Sequence, residues 1–118
     1  MKSLSLTLNR SFEINRYNDC LKIKNINYSY SDINYISKIY SSFISELNKK
    51  KRSYVAFIPS RELSDYVAIL SSIYSGVSYV PIDITRGFDH FENIINDCNI
   101  NILFTNNNTL KQTQSFCK

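Results

Sequence analysis

The chain has no tryptophan, one histidine, two glycines, two prolines and three cysteines among its 118 residues. Each scarcity closes off a class of function. A phosphate cradle needs several glycines so that backbone N–H groups can approach the oxygens. Gly76 and Gly87 match neither G-x-G-x-x-G nor the P-loop. Cys20, Cys98 and Cys117 are far apart, odd in number and lack C-x-x-C or Cys/His spacing. That pattern supports neither a zinc site nor a disulfide framework, and fits reduced thiols of a cytoplasmic protein. No apolar run approaches the ~18–20 residues that a membrane span needs. The opening "MKSLSLTLNRSFEINR" has too short and interrupted an apolar patch for a signal peptide, so no membrane partner is expected.

What is present is a 43% hydrophobic composition with nine tyrosines and seven phenylalanines. The length fits one small domain, able to bury roughly 65% of its unfolded surface. The net charge is +4 and the pI about 9.0. Four of the 14 basic side chains form one run, Lys49-Lys50-Lys51-Arg52. The run follows an expected helix, where cations meet the carbonyl end of the macrodipole, and reads as a solvated helix end. No nucleic-acid partner is expected from it.

Residues 1–19 lack strong periodicity and read as an irregular lead-in. From Cys20, "CLKIKNINYSYSD" holds two short alternating runs flanking Asn25 and Ile26, which predicts a small hairpin. Ser31 is the expected N-cap of an amphipathic helix over about 32–49, with Asp32 in its first turn. Its apolar residues, Ile33, Ile36, Tyr40, Phe43, Ile44 and Leu47, recur every three or four positions and predict a core-facing stripe. "YVAFI" at 54–58 reads as a strand buried on both faces. Residues 62–75 read as a helix, 77–82 as a second strand, 88–97 as a shorter helix and 101–105 as a third strand. Strands separated by helices of this length predict a parallel βαβαβ unit, preceded by the hairpin and the long helix, in the α/β class. Residues 106–118 are polar and patternless and read as a frayed tail.

In an open parallel sheet, ligands gather beyond the carboxyl ends of the strands. Those ends are expected at Pro59-Ser60-Arg61, at 83–87 and at Thr105-Asn106. Glu62, at the start of the second helix, would compete with an anion for that terminus. His90 sits on a polar arc with Asp89 and Glu92 and has no Ser or Cys partner suggested by sequence, which reads as a solvated face. No residue is therefore assigned a catalytic, cofactor-binding or metal-binding role. Gly76 is expected to end its helix in the left-handed conformation, and Pro81 to close a strand where a missing donor is tolerable.

From Tyr28 onward the chain resembles the N-terminal part of the adenylate-forming (AMP-binding) enzymes: the adenylation domains of nonribosomal peptide synthetases, acyl-CoA synthetases and their relatives. "YSYSDIN" looks like the family's first core motif, with Asp32 and Ile33 in place of the usual glutamate and leucine. "IYSGVSYVPID" looks like its second, usually Leu-Lys-Ala-Gly-x-Ala-Tyr-Val-Pro-Leu-Asp. Gly76, Tyr79, Val80, Pro81 and Asp83 match position by position, and Tyr74 replaces the lysine. Beyond Asp83, Ile84, Gly87 and His90 stand where the family has Pro, Pro and Arg. The resemblance covers about residues 20–105. It implies activation of a carboxylic or amino acid with ATP and Mg to an acyl-adenylate, followed by transfer to a thiol. The family's phosphate loop, ribose-binding aspartate and catalytic lysine lie later, and no residue here corresponds to them.

The resemblance therefore implies a truncated adenylation domain over 20–105, inactive alone and binding no cofactor by itself. It would be either a remnant or one part of a split enzyme whose partner is a separately encoded remainder. Two other readings stand beside it. One is a non-enzymatic protein-interaction module that retains the fold. The other, a basic nucleic-acid binder, rests only on residues 49–52.

Overall fold

The computed structural model describes residues 4–49 and 54–117. It begins with α1 (Leu4–Ile14) and an antiparallel hairpin of β1 (Asp19–Ile23) and β2 (Ile26–Ser29). The long helix α2 (Tyr30–Asn48) follows. Then come β3 (Tyr54–Phe57), α3 (Leu63–Ser75), β4 (Tyr79–Pro81), a 3-10 turn (Ile84–Arg86), α4 (Phe88–Asp97), β5 (Ile100–Phe104) and α5 (Leu110–Phe116). The second sheet is parallel in the order β4-β3-β5, as the alternation of strands and helices predicts.

β3 is central, and its alternation explains why it is apolar throughout. Ala56 and Ile58 join Ile82, Ile84, Phe91 and Ile100 in the core that α4 closes. Val55 and Phe57, also buried, point to the opposite face, where α3 packs. A right-handed crossover on each side of β3 places α3 and α4 on opposite faces of the sheet.

Four sequence expectations are corrected. The lead-in is not irregular: Leu4, Leu8 and Phe12 recur every four residues along α1. Phe12 is buried, its ring edge-on to Tyr30 at 5.0 Å. The tail is not frayed, since α5 buries Thr113 and rests Phe116 on Phe91 at 5.4 Å between centroids. The hairpin turns at Lys24 and Asn25, both with positive φ, rather than at Asn25 and Ile26. The N-cap of α2 is Ser29, not Ser31. Its hydroxyl accepts from the Asp32 N–H at 3.0 Å while the Asp32 carboxylate accepts from the Ser29 N–H at 3.1 Å. This reciprocal capping box satisfies two otherwise orphan donors.

The stripe of α2 also differs from expectation. Ile33 and Ile44 are fully buried, but Tyr40, Phe43 and Leu47 are exposed. The buried line instead runs through Ile33, Asn34, Ser37 and Ile44. It faces α3, whose Ser71 and Ser72 are also fully buried and donate to the carbonyls of Val67 and Ala68. Small residues let two helices approach closely, which turns the bulky aromatic half of α2 outward. Of the basic run, only Lys49 lies within the described residues, where it pairs with Glu46 at 2.9 Å; Lys50, Lys51 and Arg52 lie outside them.

Candidate functional site

Three loops meet beyond the carboxyl ends of β3, β4 and β5, the edge where an open parallel sheet gathers ligands. With the strand order β4-β3-β5, the chain leaves β3 toward one face and β5 toward the other, so the switch point lies between these two strands. A polar cluster occupies that point. The Asp65 carboxylate, almost fully buried, accepts from the backbone N–H groups of Ser60 and Arg61, both at 2.9 Å. Arg61 takes positive φ, which lets two successive N–H groups converge on one oxygen. From the β5 side, the Asn106 amide donates to the Ser60 hydroxyl. The Asn106 carbonyl oxygen accepts from the N–H of Asn108 at 2.9 Å and of Thr109 at 3.2 Å. Glu62 adds an outer clasp, accepting from the Asn108 amide at 3.2 Å and pairing with Lys24 of the hairpin at 2.6 Å.

This geometry decides what the cluster does. Convergent backbone N–H groups at the start of a helix form an anion site when they are free. Here the protein's own carboxylate fills them. The competitor is Asp65 rather than Glu62, which caps the terminus with its backbone and sends its side chain sideways. The loop therefore does not fit a nucleotide phosphate. Among the described residues no three His, Cys, Asp or Glu side chains come together as a group that could hold a metal ion.

The second motif is a joint, as its sequence suggests. Gly76 ends α3 with φ 73°, and its N–H bonds the carbonyls at the helix end. A Cβ there would meet nothing within 4 Å, so the backbone conformation alone selects glycine. Ile82 donates to the Phe57 carbonyl at 2.9 Å and Val55 to the Ser78 carbonyl at 3.0 Å. By alternation, Tyr79 and Pro81 point their backbone groups away from β3, where a missing N–H costs nothing. Asp83 accepts from the Thr85 hydroxyl at 2.5 Å and the Thr85 N–H at 3.0 Å, which folds the exposed 3-10 turn. Those two bonds hold its carboxyl below the usual carboxylate range.

The departures from the family pattern have structural roles. Ile84 is buried in the α4-side core. Gly87, at φ 93°, precedes α4. The Tyr74 hydroxyl donates to the Asn34 carbonyl oxygen at 2.6 Å, and the Asn34 amide donates to Asn9 at 3.3 Å, linking α3, α2 and α1. Burial, and then the charge of Glu13, raise the Tyr74 phenol. His90 is half-buried near Asp83, and Asp89 and Glu92 are exposed beside it. All three cysteines are free, and burial raises the Cys20 thiol. A cleft of about 320 Å³ opens between α4, β5 and α5; the sequence carries no sign of it because Phe116 lies in a stretch that reads as a tail.

No protein-family model matches the chain, and no curated protein matches its sequence. Solved structures do match its shape. The Vibrio cholerae adenylation domain AlmE, in complex with glycyl-adenosine-5'-phosphate, superposes over 98% of the chain with a TM-score of 0.84 at 17% identity. A red-emitting luciferase from Phrixothrix hirtus superposes over 95% with a TM-score of 0.84 at 15% identity. The anthranilate CoA ligase AuaEII, in complex with anthranoyl-AMP, superposes over 97% with a TM-score of 0.76 at 14% identity. The fold is that of a portion of an adenylate-forming enzyme. The chain spans only 22%, 28% and 22% of those three structures respectively. No helix among the described residues is long and apolar enough to cross a membrane.

Proposed function

We propose that the chain is scaffold from an ATP-dependent acid-activating ligase of the nonribosomal peptide synthetase or acyl-CoA synthetase type, working in the cytoplasm. The observation that carries this reading is the near-complete match of this chain to 22% of each of two proteins that hold an acyl-adenylate, glycyl-AMP and anthranoyl-AMP. The two core motifs in this sequence agree with it. ATP and Mg belong to the part of the fold outside this chain, because its own loop donors are taken by Asp65. The chain contributes the sheet edge and the Ser60–Asn106 clasp on which such a site is built, and is inactive by itself. The test is ATP–pyrophosphate exchange with the purified chain across a panel of amino and aryl acids. No exchange above background is expected, and acid-dependent exchange by the chain alone would sink the reading.

A second reading, a non-enzymatic interaction module that keeps the fold, is favoured by one observation. Tyr35, Phe43 and Leu47 leave more than 60% of their surface exposed along α2. Such a stripe is typical of a protein contact. Loss of a soluble partner on Phe43→Lys, with no effect on any ligase activity, would select it.

A further inference from the structure

Four large side chains of α2 stand on one row. Tyr35, Ile39, Phe43 and Leu47 recur every fourth residue outside the buried seam, and each is 41% to 69% exposed. Rows of this spacing are the ridges that interlock when two helices cross at about 50°. From Tyr35 to Leu47 the row runs about 18 Å. Its exposed parts, with those of Tyr40 and Ile26 beside it, come to roughly 600 Å² per copy, taking the area of a large side chain from aromatic residues. A stable interface buries about 800 Å² per partner, which a polar rim around this row brings within reach.

The row is complementary to itself when reversed. Laid antiparallel on a second copy about a twofold axis, Tyr35 meets Leu47 and Ile39 meets Phe43, so each aromatic ring faces an aliphatic side chain. The same register brings Lys38 near Glu46, and Asp32 of the first turn near Lys49 at the C-cap. A parallel pairing would instead set Asp32 against Asp32 and Lys49 against Lys49. Lys38 and Lys49 now hold only exposed local partners, Glu13 at 3.6 Å and Glu46 at 2.9 Å, and such pairs exchange at little cost. Where Leu47 of the second copy would land there is a groove of about 560 Å³ beside β2 and the start of α2. Ile26, Tyr28, Tyr35 and Ile36 line it, together with Asp32, the proposed partner of the incoming Lys49.

We propose that α2 is the interface of a symmetric dimer, in which a second copy of this chain lies antiparallel across the row. This names the partner of the stripe that favours the interaction-module reading, and rests on that stripe rather than on the ligase reading. The occupant follows from the reversal. An inverted copy of the same helix supplies the aliphatic side chain for each ring, the knob for the groove and the opposite charge for each charge.

The test is sedimentation equilibrium of the full chain, which is expected to dimerise with a Kd of about 1–100 μM for an interface of this size. Phe43→Lys and, separately, Tyr35→Glu are each expected to weaken the dimer about tenfold or more, with the circular dichroism of the parent retained at monomeric dilution. Glu46→Lys is expected to weaken it about threefold, and adding Lys38→Glu to restore it, because the swap re-forms opposite charges across an antiparallel pair. A chain that stays monomeric throughout overturns the proposal. So does a dimer that withstands both row substitutions, a charge swap that restores nothing, or growth past two copies. A monomer from which Phe43→Lys still removes a soluble partner overturns self-association and leaves the interaction-module reading standing.

Discussion

Two loops leave the same end of one sheet and are held by opposite means. The loop after β3 is closed from within by Asp65, and from across the sheet by Asn106, a residue 46 positions away. The loop after β4 is closed locally and in solvent, by Asp83 bonding Thr85 two residues on. The first depends on the tertiary fold and the second hardly does. A long-range clasp of part-buried bonds onto the buried Asp65 carboxylate is less open to water, whereas an exposed local turn gains little, because water can replace each of its bonds.

Substitutions rank along this contrast. Asp65→Ala should have the largest effect, about 2–3 kcal/mol of destabilisation in urea unfolding, because it strands two converging backbone N–H groups. Asn106→Ala should cost about 1–2 kcal/mol, since it removes the cross-strand bond but leaves the Asp65 turn in place. Tyr74→Phe tests a third long-range bond, away from the edge, and should cost about 1 kcal/mol by leaving the Asn34 oxygen short of a donor. A cost for any of these below that of Asp83→Ala would overturn the contrast.

The smallest effect belongs to Asp83 and is visible through pH. Its folded carboxyl is held below its ordinary value of 3.8, so its contribution is complete above that pH and fades as pH falls through the lower folded value. Asp83→Asn should therefore match the parent near neutrality to within a small loss, and should flatten the part of the acid stability profile below pH 3.8. An unchanged profile would show that the Thr85 turn does not couple to folding. Ser37→Ala approaches the same question from the other side. Its hydroxyl is fully buried and finds no partner among the described residues, so removing it should leave stability equal or raise it by up to about 1 kcal/mol.

The α/β architecture was legible because β3 and β5 are short apolar runs and α3 and α4 carry clear helical periodicity. The end helices were not. Along α1 the apolar spacing is diluted by Asn9, Arg10 and Ser11, and α5 buries a threonine where a periodicity search looks for an apolar residue. The outward turn of α2 was hidden for a related reason. Its true seam is marked by Ser37, which a search for apolar stripes passes over. At the edge, the positions of the three loops could be read from the strands, but the clasp could not. Asp65 looks like any acid in the first turn of a helix, and nothing local tells Asn106 that Ser60 is its partner.

The Asp65 clasp makes the protein its own counter-ion. The position that a neighbouring fold would leave for a guest is held by a tethered host group at an effective concentration no dissolved anion can match. Phosphate or sulfate should therefore raise the melting temperature of the parent by no more than the general, non-saturating effect of these excluded salts. Once Asp65 is cut back to alanine, formate or acetate should restore part of the lost stability in a concentration-dependent way. A loop sealed by covalent attachment would then have become one that reports on small anions.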